Sequence, residues 1–109
     1  MTVAQLQKEL DLNILSMPLP EKEVSSGYTG DLLSFVMGTA QEGDAWVTIM
    51  SNLNIVAVAT LTDVACVILA AGVTPDAGVI EKALEKEVNI LSSPLSAYEL
   101  CAMIAGQLS

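Results

Sequence analysis

Histidine and arginine are both absent from this sequence of 109 residues, and these absences exclude most familiar catalytic sites. Without histidine, no Ser-His-Asp or Cys-His arrangement can activate a nucleophile. Without arginine, no planar side chain can clamp a phosphate through two parallel hydrogen bonds. A P-loop is excluded too, because no lysine follows a glycine. Carboxylate chemistry remains, but Asp31, Asp44 and Asp63 each stand where a helix cap or a turn explains them. The sequence therefore predicts a protein that is not an enzyme.

Positive charge is scarce as well. Four lysines are the only basic residues, against 13 acidic ones, which gives a formal net charge of −9. Nucleic-acid binding requires a basic surface that neutralises phosphates, and binding to an anionic membrane requires the same. We therefore expect no nucleic-acid partner and no membrane partner.

Only two cysteines occur, Cys66 and Cys101, and both have apolar neighbours. Because there is no histidine and no Cys-x-x-Cys pair, a zinc site is not expected. The composition predicts no metal and no cofactor. Two isolated thiols in apolar segments are typical of buried cysteines in a reducing cytoplasm.

A membrane span is the alternative reading of the apolar stretch 53–73, in which Asp63 is the only charged residue. Its length would suffice for a span. This stretch is interrupted, however, by the polar residues Asn54, Thr60 and Thr62. A helix followed by a buried strand accounts for the same sequence. Residues 1–11 contain no apolar run, so we also expect no secretory signal and a cytoplasmic location.

The polar and apolar residues alternate between helical and strand periods along the chain. Helices are predicted over 2–10, 31–40, 54–60, 74–87 and 96–108, and strands over 12–15, 23–26, 45–50, 65–69 and 88–91. Capping boxes begin the first and last helices, at Thr2 and Ser96. The stretch 54–60 fits a strand by alternation or a helix capped by Ser51, and we favour the helix because it gives a crossover of suitable length.

This order predicts an α/β fold, a single domain over 1–109 with a mostly parallel, doubly wound sheet and helices on both faces. Ligands of such sheets bind beyond the carboxyl ends of the strands. Small and hydroxyl residues predicted at that rim are the candidate ligand-binding residues: Gly27, Tyr28, Thr29, Gly30, Asp31, Ser51, Asn52, Ser92 and Ser93. Each also has a structural interpretation, as a tight turn, a helix cap or a strand-end turn.

A family resemblance rests on the ordered segments Gly-Tyr-Thr-Gly-Asp-Leu-Leu-Ser (27–34), Gly-Asp-Ala-Trp-Val-Thr-Ile (43–49), Asn-Ile-Val-Ala-Val-Ala (54–59) and Leu-Ser-Ser-Pro-Leu-Ser-Ala-Tyr-Glu-Leu (91–100). In these segments the chain resembles small stand-alone DRTGG-domain proteins over about residues 2–105. The Asp-Arg-Thr-Gly-Gly signature that names the family is absent, since the chain has no arginine. The resemblance implies an α/β domain, often dimeric, with a regulatory or ligand-sensing role and no catalytic residue.

Hydrophobic residues make up 52% of the chain, which is more than a small monomer readily buries. The sequence therefore predicts a homodimer that acts as a regulatory domain sensing a small molecule, with a nucleotide as one candidate. The alternative is an accessory subunit that docks on a larger enzyme through its acidic surface.

Overall fold

The alternation of helices and strands expected from the sequence extends over all 109 residues of the computed structural model. The five helices are α1 (Val3–Glu9), α2 (Leu33–Thr39), α3 (Asn54–Thr62), α4 (Val79–Glu85) and α5 (Ala97–Leu108). The five strands are β1 (Asn13–Ser16), β2 (Ser26–Thr29), β3 (Asp44–Thr48), β4 (Cys66–Leu69) and β5 (Ile90–Ser92).

The strands form one sheet in the order β1-β5-β4-β3-β2. Strands β2 to β5 are mutually parallel, whereas β1 pairs antiparallel with β5. Helices α2, α3 and α4 connect the parallel strands in sequence. The predicted α/β class, with a mostly parallel sheet and helices on both faces, is confirmed.

Two hydrophobic clusters fill the two faces of the sheet. Alternate residues of a strand point to opposite faces, and β4 divides accordingly, with Ile68 in one cluster and Val67 in the other. Helices α1 and α5 cover the first cluster, and α2, α3 and α4 cover the second. All residues of β3 and β4 are buried, so these two strands form the centre of the domain.

The ambiguous stretch after β3 is helical, as favoured. Helix α3 begins at Asn54 and ends at Thr62, and it buries Ile55, Val56, Val58 and Ala59. Because β3 and β4 are parallel neighbours, their connection must cross back over the sheet, and a helix does this with every backbone group satisfied. The apolar residues that alternate along this stretch are therefore buried on a helix and do not belong to a strand.

The start of α4 was predicted wrongly. The helix begins at Val79, not at Thr74, and Gly78 precedes it with a positive φ of 86°. The Asp76 N–H donates to Ser51 O at 2.9 Å, and Asp76 Oδ1 accepts from Ser51 Oγ at 3.0 Å. These contacts hold the residues before Gly78 across the end of the sheet, so the helix cannot begin earlier. They also engage Ser51, which was expected to cap α3 and does not.

The prediction for β2 was also wrong in position. The strand was expected over 23–26 with a turn at 27–30, but it runs from Ser26 to Thr29. Pairing with β3 accounts for this, since Tyr28 lies opposite Trp46 in an uninterrupted parallel register. Local turn propensity of the glycines is overridden by this tertiary pairing.

Helix α2 buries less than its sequence predicted. The helical period places Leu32, Leu33, Val36 and Met37 on one apolar stripe, but only Val36 is fully buried. Leu32 is 67% exposed, and Phe35 on the same helix is 62% exposed. The helix therefore leaves apolar side chains on the surface beside the end of β2.

The other local predictions hold where the structure tests them. Both capping boxes are present, at Thr2 with Gln5 and at Ser96 with Glu99, and Trp46 is fully buried. None of the five helices combines the length and apolarity that a membrane crossing requires.

Candidate functional site

The carboxyl ends of β2, β3, β4 and β5 meet at one end of the sheet, because these strands are parallel. We call the residues that follow them the carboxyl edge: 30–32 after β2, 49–53 after β3, 70–74 after β4 and 93–95 after β5. Of the candidate residues, Gly30, Asp31, Ser51, Asn52 and Ser93 lie at this edge, and Ser92 ends β5. Gly27, Tyr28 and Thr29 lie within β2 instead.

Asp31 connects the ends of β2 and β3. Its Oδ1 accepts a hydrogen bond from Thr48 Oγ1 at 2.8 Å and from the Ile49 N–H at 2.9 Å. Asp31 was expected to favour the N-terminus of the next helix, but these contacts place it at the end of β3. The carboxylate is exposed, so its second oxygen can accept hydrogen bonds from a ligand.

Three backbone amides follow closely along the chain after Ile49, whose N–H donates to Asp31. The N–H groups of Ser51, Asn52 and Leu53 have no acceptor within the protein, whereas Asn54 N–H donates to Asn52 Oδ1 at 2.9 Å. They immediately precede α3, where the amides of a helix N-terminus carry partial positive charge. This β2–β3 part of the carboxyl edge, containing Asp31 and 51–53, is called the open half below.

The part of the edge after β4 and β5 is occupied by the chain itself, and we call it the closed half. Ser93 is 3% exposed, its Oγ accepts from Leu95 N–H at 3.1 Å, and its carbonyl accepts from Gly72 N–H at 3.0 Å. Its own N–H donates to Leu69 O at 3.0 Å. Ser93 thus joins the loops that follow β4 and β5, and every polar group it offers is engaged.

A groove lies beside β2 on the face covered by α5, and we call it the β2–α5 groove. Its volume is about 400 Å³, within the range of small-molecule sites. Its lining has no charged side chain and comprises Ser25, Ser26, Gly27, Tyr28, Thr29, Ala45, Val47, Cys101, Ile104, Ala105, Leu108 and Ser109. The α5 residues of this groove were not predicted from the sequence, although the small residues Cys101 and Ala105 on one stripe of α5 could have indicated a groove there.

Tyr28 and Gly30 have packing roles on the opposite face. The Tyr28 side chain packs against the cluster covered by α2 and α3, and its hydroxyl lies 2.6 Å from Thr39 Oγ1. Gly30 O accepts from Trp46 Nε1 at 3.0 Å. A Cβ at Gly30 would lie 3.2 Å from the Tyr28 ring, so the glycine lets the ring and the indole pack together.

The two thiols differ in environment. Burial raises the pKa of Cys66 to about 12, so this thiol stays protonated and unreactive at neutral pH. Cys101 is half-buried and lines the β2–α5 groove, which corrects the expectation that both thiols are buried. No three His, Cys, Asp or Glu side chains converge to hold a metal ion.

The fold has a relative among solved structures. The chain is similar to the CBS and DRTGG domains of the regulatory region of Clostridium perfringens pyrophosphatase, solved with its activator diadenosine tetraphosphate. The TM-score is 0.70 at 15% sequence identity. The match covers 94% of this chain and 45% of that chain, so the present chain spans less than half of its relative's length. No curated protein sequence matches.

The family model of the DRTGG domain matches residues 32–106. The matched span contains Ser51, Asn52, Ser92 and Ser93 of the candidate residues and begins directly after Asp31. It includes everything from α2 to most of α5, which is more than half of the chain. The chain belongs to the DRTGG domain family.

Proposed function

We propose that the chain is a non-enzymatic regulatory domain that binds a small molecule, a nucleotide in the first place, at the open half of the carboxyl edge. The relative from Clostridium perfringens supports this, because its CBS and DRTGG domains form a regulatory region whose activator is a dinucleotide. The domain is taken as residues 1–109, since α1 contributes to the same core as α5 and β1 pairs with β5.

The chemistry of the open half fits the parts of a nucleotide. Amides without an internal acceptor, such as those of 51–53, bind phosphate oxygens. A carboxylate such as Asp31 accepts hydrogen bonds from ribose hydroxyls in α/β folds. Leu32, Phe35 and Ile49 are 67%, 62% and 49% exposed and offer apolar surface to a base. The observation that carries the proposal is the set of unpaired amides at 51–53, two to four residues after the Ile49 N–H that donates to Asp31.

Charge limits which nucleotide binds. The chain has a net charge of −9, and no lysine lies at the carboxyl edge. Backbone amides alone stabilise one phosphate better than three, because the triphosphate adds charge without adding a cation to meet it. We therefore expect a nucleoside monophosphate to bind more tightly than the corresponding triphosphate when no divalent cation is present.

The test is calorimetric titration of the full chain with AMP, ATP and diadenosine tetraphosphate. The informative variant is Asp31→Asn, because the carboxamide oxygen can still accept from Thr48 and Ile49 while the charge is lost. Glu9→Gln, which removes an exposed charge on α1, is the matched control. We expect Asp31→Asn to weaken binding at least tenfold and Glu9→Gln to leave it unchanged. Absence of binding by all three nucleotides at millimolar concentration would refute the nucleotide proposal.

The proposal includes a homodimer in the cytoplasm. Ten large apolar residues are exposed, and several of them, including Leu32, Phe35, Ile49 and Leu53, belong to the β2–β3 side of the domain. Two free thiols fit a reducing compartment. Sedimentation velocity at micromolar concentration tests the dimer, which Phe35→Ser is expected to weaken. A monomer at all accessible concentrations would contradict it.

A second candidate function is that of an accessory subunit that docks on a larger protein. The exposed outer edge of β2, next to the β2–α5 groove, favours this function. Both roles can coexist, because the open half and the groove are different surfaces.

A further inference from the structure

The outer side of β2 has no strand beside it, since β2 ends the sheet and pairs only with β3. At the end of the strand, Gly30 N–H donates to Val47 O at 3.3 Å. Alternate residues of a strand direct their backbone groups to the same side, so Ser26 and Tyr28 also bond to β3. The N–H and C=O groups of Gly27 and Thr29 therefore point away from the sheet.

The two outer strands of the sheet are protected very differently. The pairing of β1 is interrupted by an irregularity between Ile14 and Ser16, and Pro18 and Pro20 follow closely. Bulges, prolines and lysines are the usual means by which proteins prevent an edge strand from pairing again. Strand β2, with the sequence Ser-Gly-Tyr-Thr, has none of these, and its register with β3 is regular.

The β2–α5 groove lies directly beside this unprotected edge. Gly27 and Ala45 form its floor and have little or no side chain, while Ile104 and Leu108 of α5 form its apolar wall. An added strand would bond to the free groups of Gly27 and Thr29 and would direct every second side chain into the groove. Strand β2 has four residues, which corresponds to a bound segment of about 13 Å.

The charges near β2 indicate whether a second copy of this chain or a basic partner binds this surface. Asp31 follows β2, and Glu42 lies next to Gly43, whose carbonyl accepts from the Ser25 N–H that precedes β2. The two cations before β2 are already paired, Lys22 with Asp63 at 2.7 Å and the Met1 ammonium with Glu23 at 3.1 Å. A second copy of β2 related by a twofold axis would run antiparallel and would bring Glu42 of one chain towards Asp31 of the other. Like charges so placed disfavour a second copy and favour a basic partner.

The geometry points to strand addition: the outer edge of β2 binds an extended segment of another protein, with small apolar side chains at alternate positions and lysine or arginine at its ends. The groove receives the apolar side chains, and the acidic residues at both ends of β2 meet the basic flanks. The edge of β2 and the groove are separate from the amides of 51–53, but both roles use Asp31, which stands at the end of β2.

The test uses the full chain and two fluorescein-labelled peptides, Lys-Lys-Val-Thr-Val-Thr-Val-Lys and its counterpart with glutamate at each lysine. We expect the basic peptide to bind at least tenfold more tightly by anisotropy, and this preference to decrease as salt rises. In amide NMR spectra, the largest shifts are expected at Gly27, Thr29 and Ile104. No binding of the basic peptide at millimolar concentration, or equal binding of both peptides, would overturn the proposal.

Two variants separate strand addition from adhesion to the apolar surface. Thr29→Pro removes an outward N–H and the bond from Thr29 Oγ1 to Val47 O at 3.0 Å, but no backbone bond of the ladder with β3, so the fold should tolerate it while peptide affinity falls at least tenfold. Gly27→Val places a side chain in the groove and should weaken peptide binding. Gly38→Val is its control, because a Cβ added at Gly38 would meet no atom of another part of the chain within 4 Å. Undiminished binding by Thr29→Pro would exclude strand addition. If Thr29→Pro instead dissociates a dimer of the chain, the occupant is a second copy and the proposal fails.

Discussion

The two halves of the carboxyl edge are built from similar residues and differ in what those residues bind. In the closed half, Ser93 and the loops after β4 and β5 bond to one another. In the open half, Asp31 bonds on one side only and the amides of 51–53 bond to nothing in the chain. The closed half thus uses its polar groups to stabilise the fold, whereas the open half, in which the Ser51 hydroxyl and carbonyl bond to Asp76, keeps three backbone amides and one side of Asp31 available. Residue type alone does not distinguish the two situations.

Asparagine substitution gives the largest expected contrast, between the open half and the opposite end of the sheet, where Asn89 precedes β5. Asn89, next to β5, is 2% exposed; its Nδ2 donates to Leu19 O and Ala65 O at 2.8 and 3.0 Å, and its Oδ1 accepts from Leu19 N–H at 3.0 Å. Asn89→Ala removes three hydrogen bonds and leaves Leu19 N–H and Ala65 O without partners, whereas Leu19 O keeps the Lys22 N–H at 3.3 Å; it should lower the free energy of unfolding by about 3 kcal/mol. The Tm should fall by roughly 15 °C.

Asn52→Ala in the open half is the matched comparison. It removes a single hydrogen bond, from Asn54 N–H, at an exposed helix start and should cost less than about 1 kcal/mol. Urea unfolding followed by circular dichroism measures both variants. Equal losses would mean that the open half is as tightly bonded as the end of the sheet that contains Asn89.

The two thiols give the second contrast, as a function of pH. Burial raises the pKa of Cys66 from 9.0 in the unfolded chain to about 12, so above pH 9 the unfolded chain loses a proton that the folded protein keeps. Stability is therefore unaffected by this group below pH 9 and falls by about 1.4 kcal/mol per pH unit as the pH rises from 9 to 12.

The comparison of wild type with Cys66→Ala separates the contribution of Cys66 to the pH dependence of stability from the contributions of lysines and tyrosines. Subtracting the two pH profiles of unfolding free energy should leave the Cys66 slope. Cys101→Ala should leave that slope unchanged, and it should abolish the labelling of the native protein by a thiol reagent. A profile for Cys66→Ala parallel to that of wild type would show that Cys66 is not shielded from water.

Much of the fold was predictable because it rests on strong local patterns. The capping boxes at Thr2 and Ser96, the apolar runs of β3 and β4, and the crossover helix α3 each follow from sequence period and chain length. These elements also supply the core, so local preference and burial agree. The α/β class followed from the order of the elements.

The candidate site was less predictable, since its features depend on pairing between distant residues. The segment Gly27–Thr29 has the composition of a turn, but its register opposite β3 makes it a strand. Similarly, Ser51 resembles a helix cap and instead contacts Asp76, which is 25 residues away. The β2–α5 groove joins residues at opposite ends of the chain, and only the fold brings these together.

The third contrast concerns Asp31, whose removal tests how far the open half contributes to stability. Asp31→Ala deprives Thr48 Oγ1 and Ile49 N–H of their acceptor and should cost about 1 kcal/mol, because the carboxylate is exposed and water replaces it. Asp31→Asn keeps an acceptor and should cost less. Thermal unfolding of the three proteins measures the difference. A loss as large as that of Asn89→Ala would assign Asp31 a structural rather than a binding role.

The smallest expected effect is that of Gly27→Ala, and it is the most direct test that the β2–α5 groove is unfilled. An added Cβ at Gly27 would lie 3.4 Å from Ile104 Cγ2 and 3.7 Å from Ala45 O, which are ordinary contact distances. Alanine also restricts the unfolded chain more than glycine does. We therefore expect a change within about 0.5 kcal/mol in either direction.

Gly43→Ala, at the turn before β3, is the control for Gly27→Ala. Gly43 has a positive φ of 83°, and a Cβ there would lie 2.5 Å from Ser25 Oγ. Both features oppose a side chain, so this variant should lose about 1–2 kcal/mol. Chemical denaturation of the two variants therefore separates a glycine required by backbone geometry from one that leaves space. A loss for Gly27→Ala comparable to that for Gly43→Ala would mean that α5 already packs on β2 too tightly to admit the side chains of an added strand.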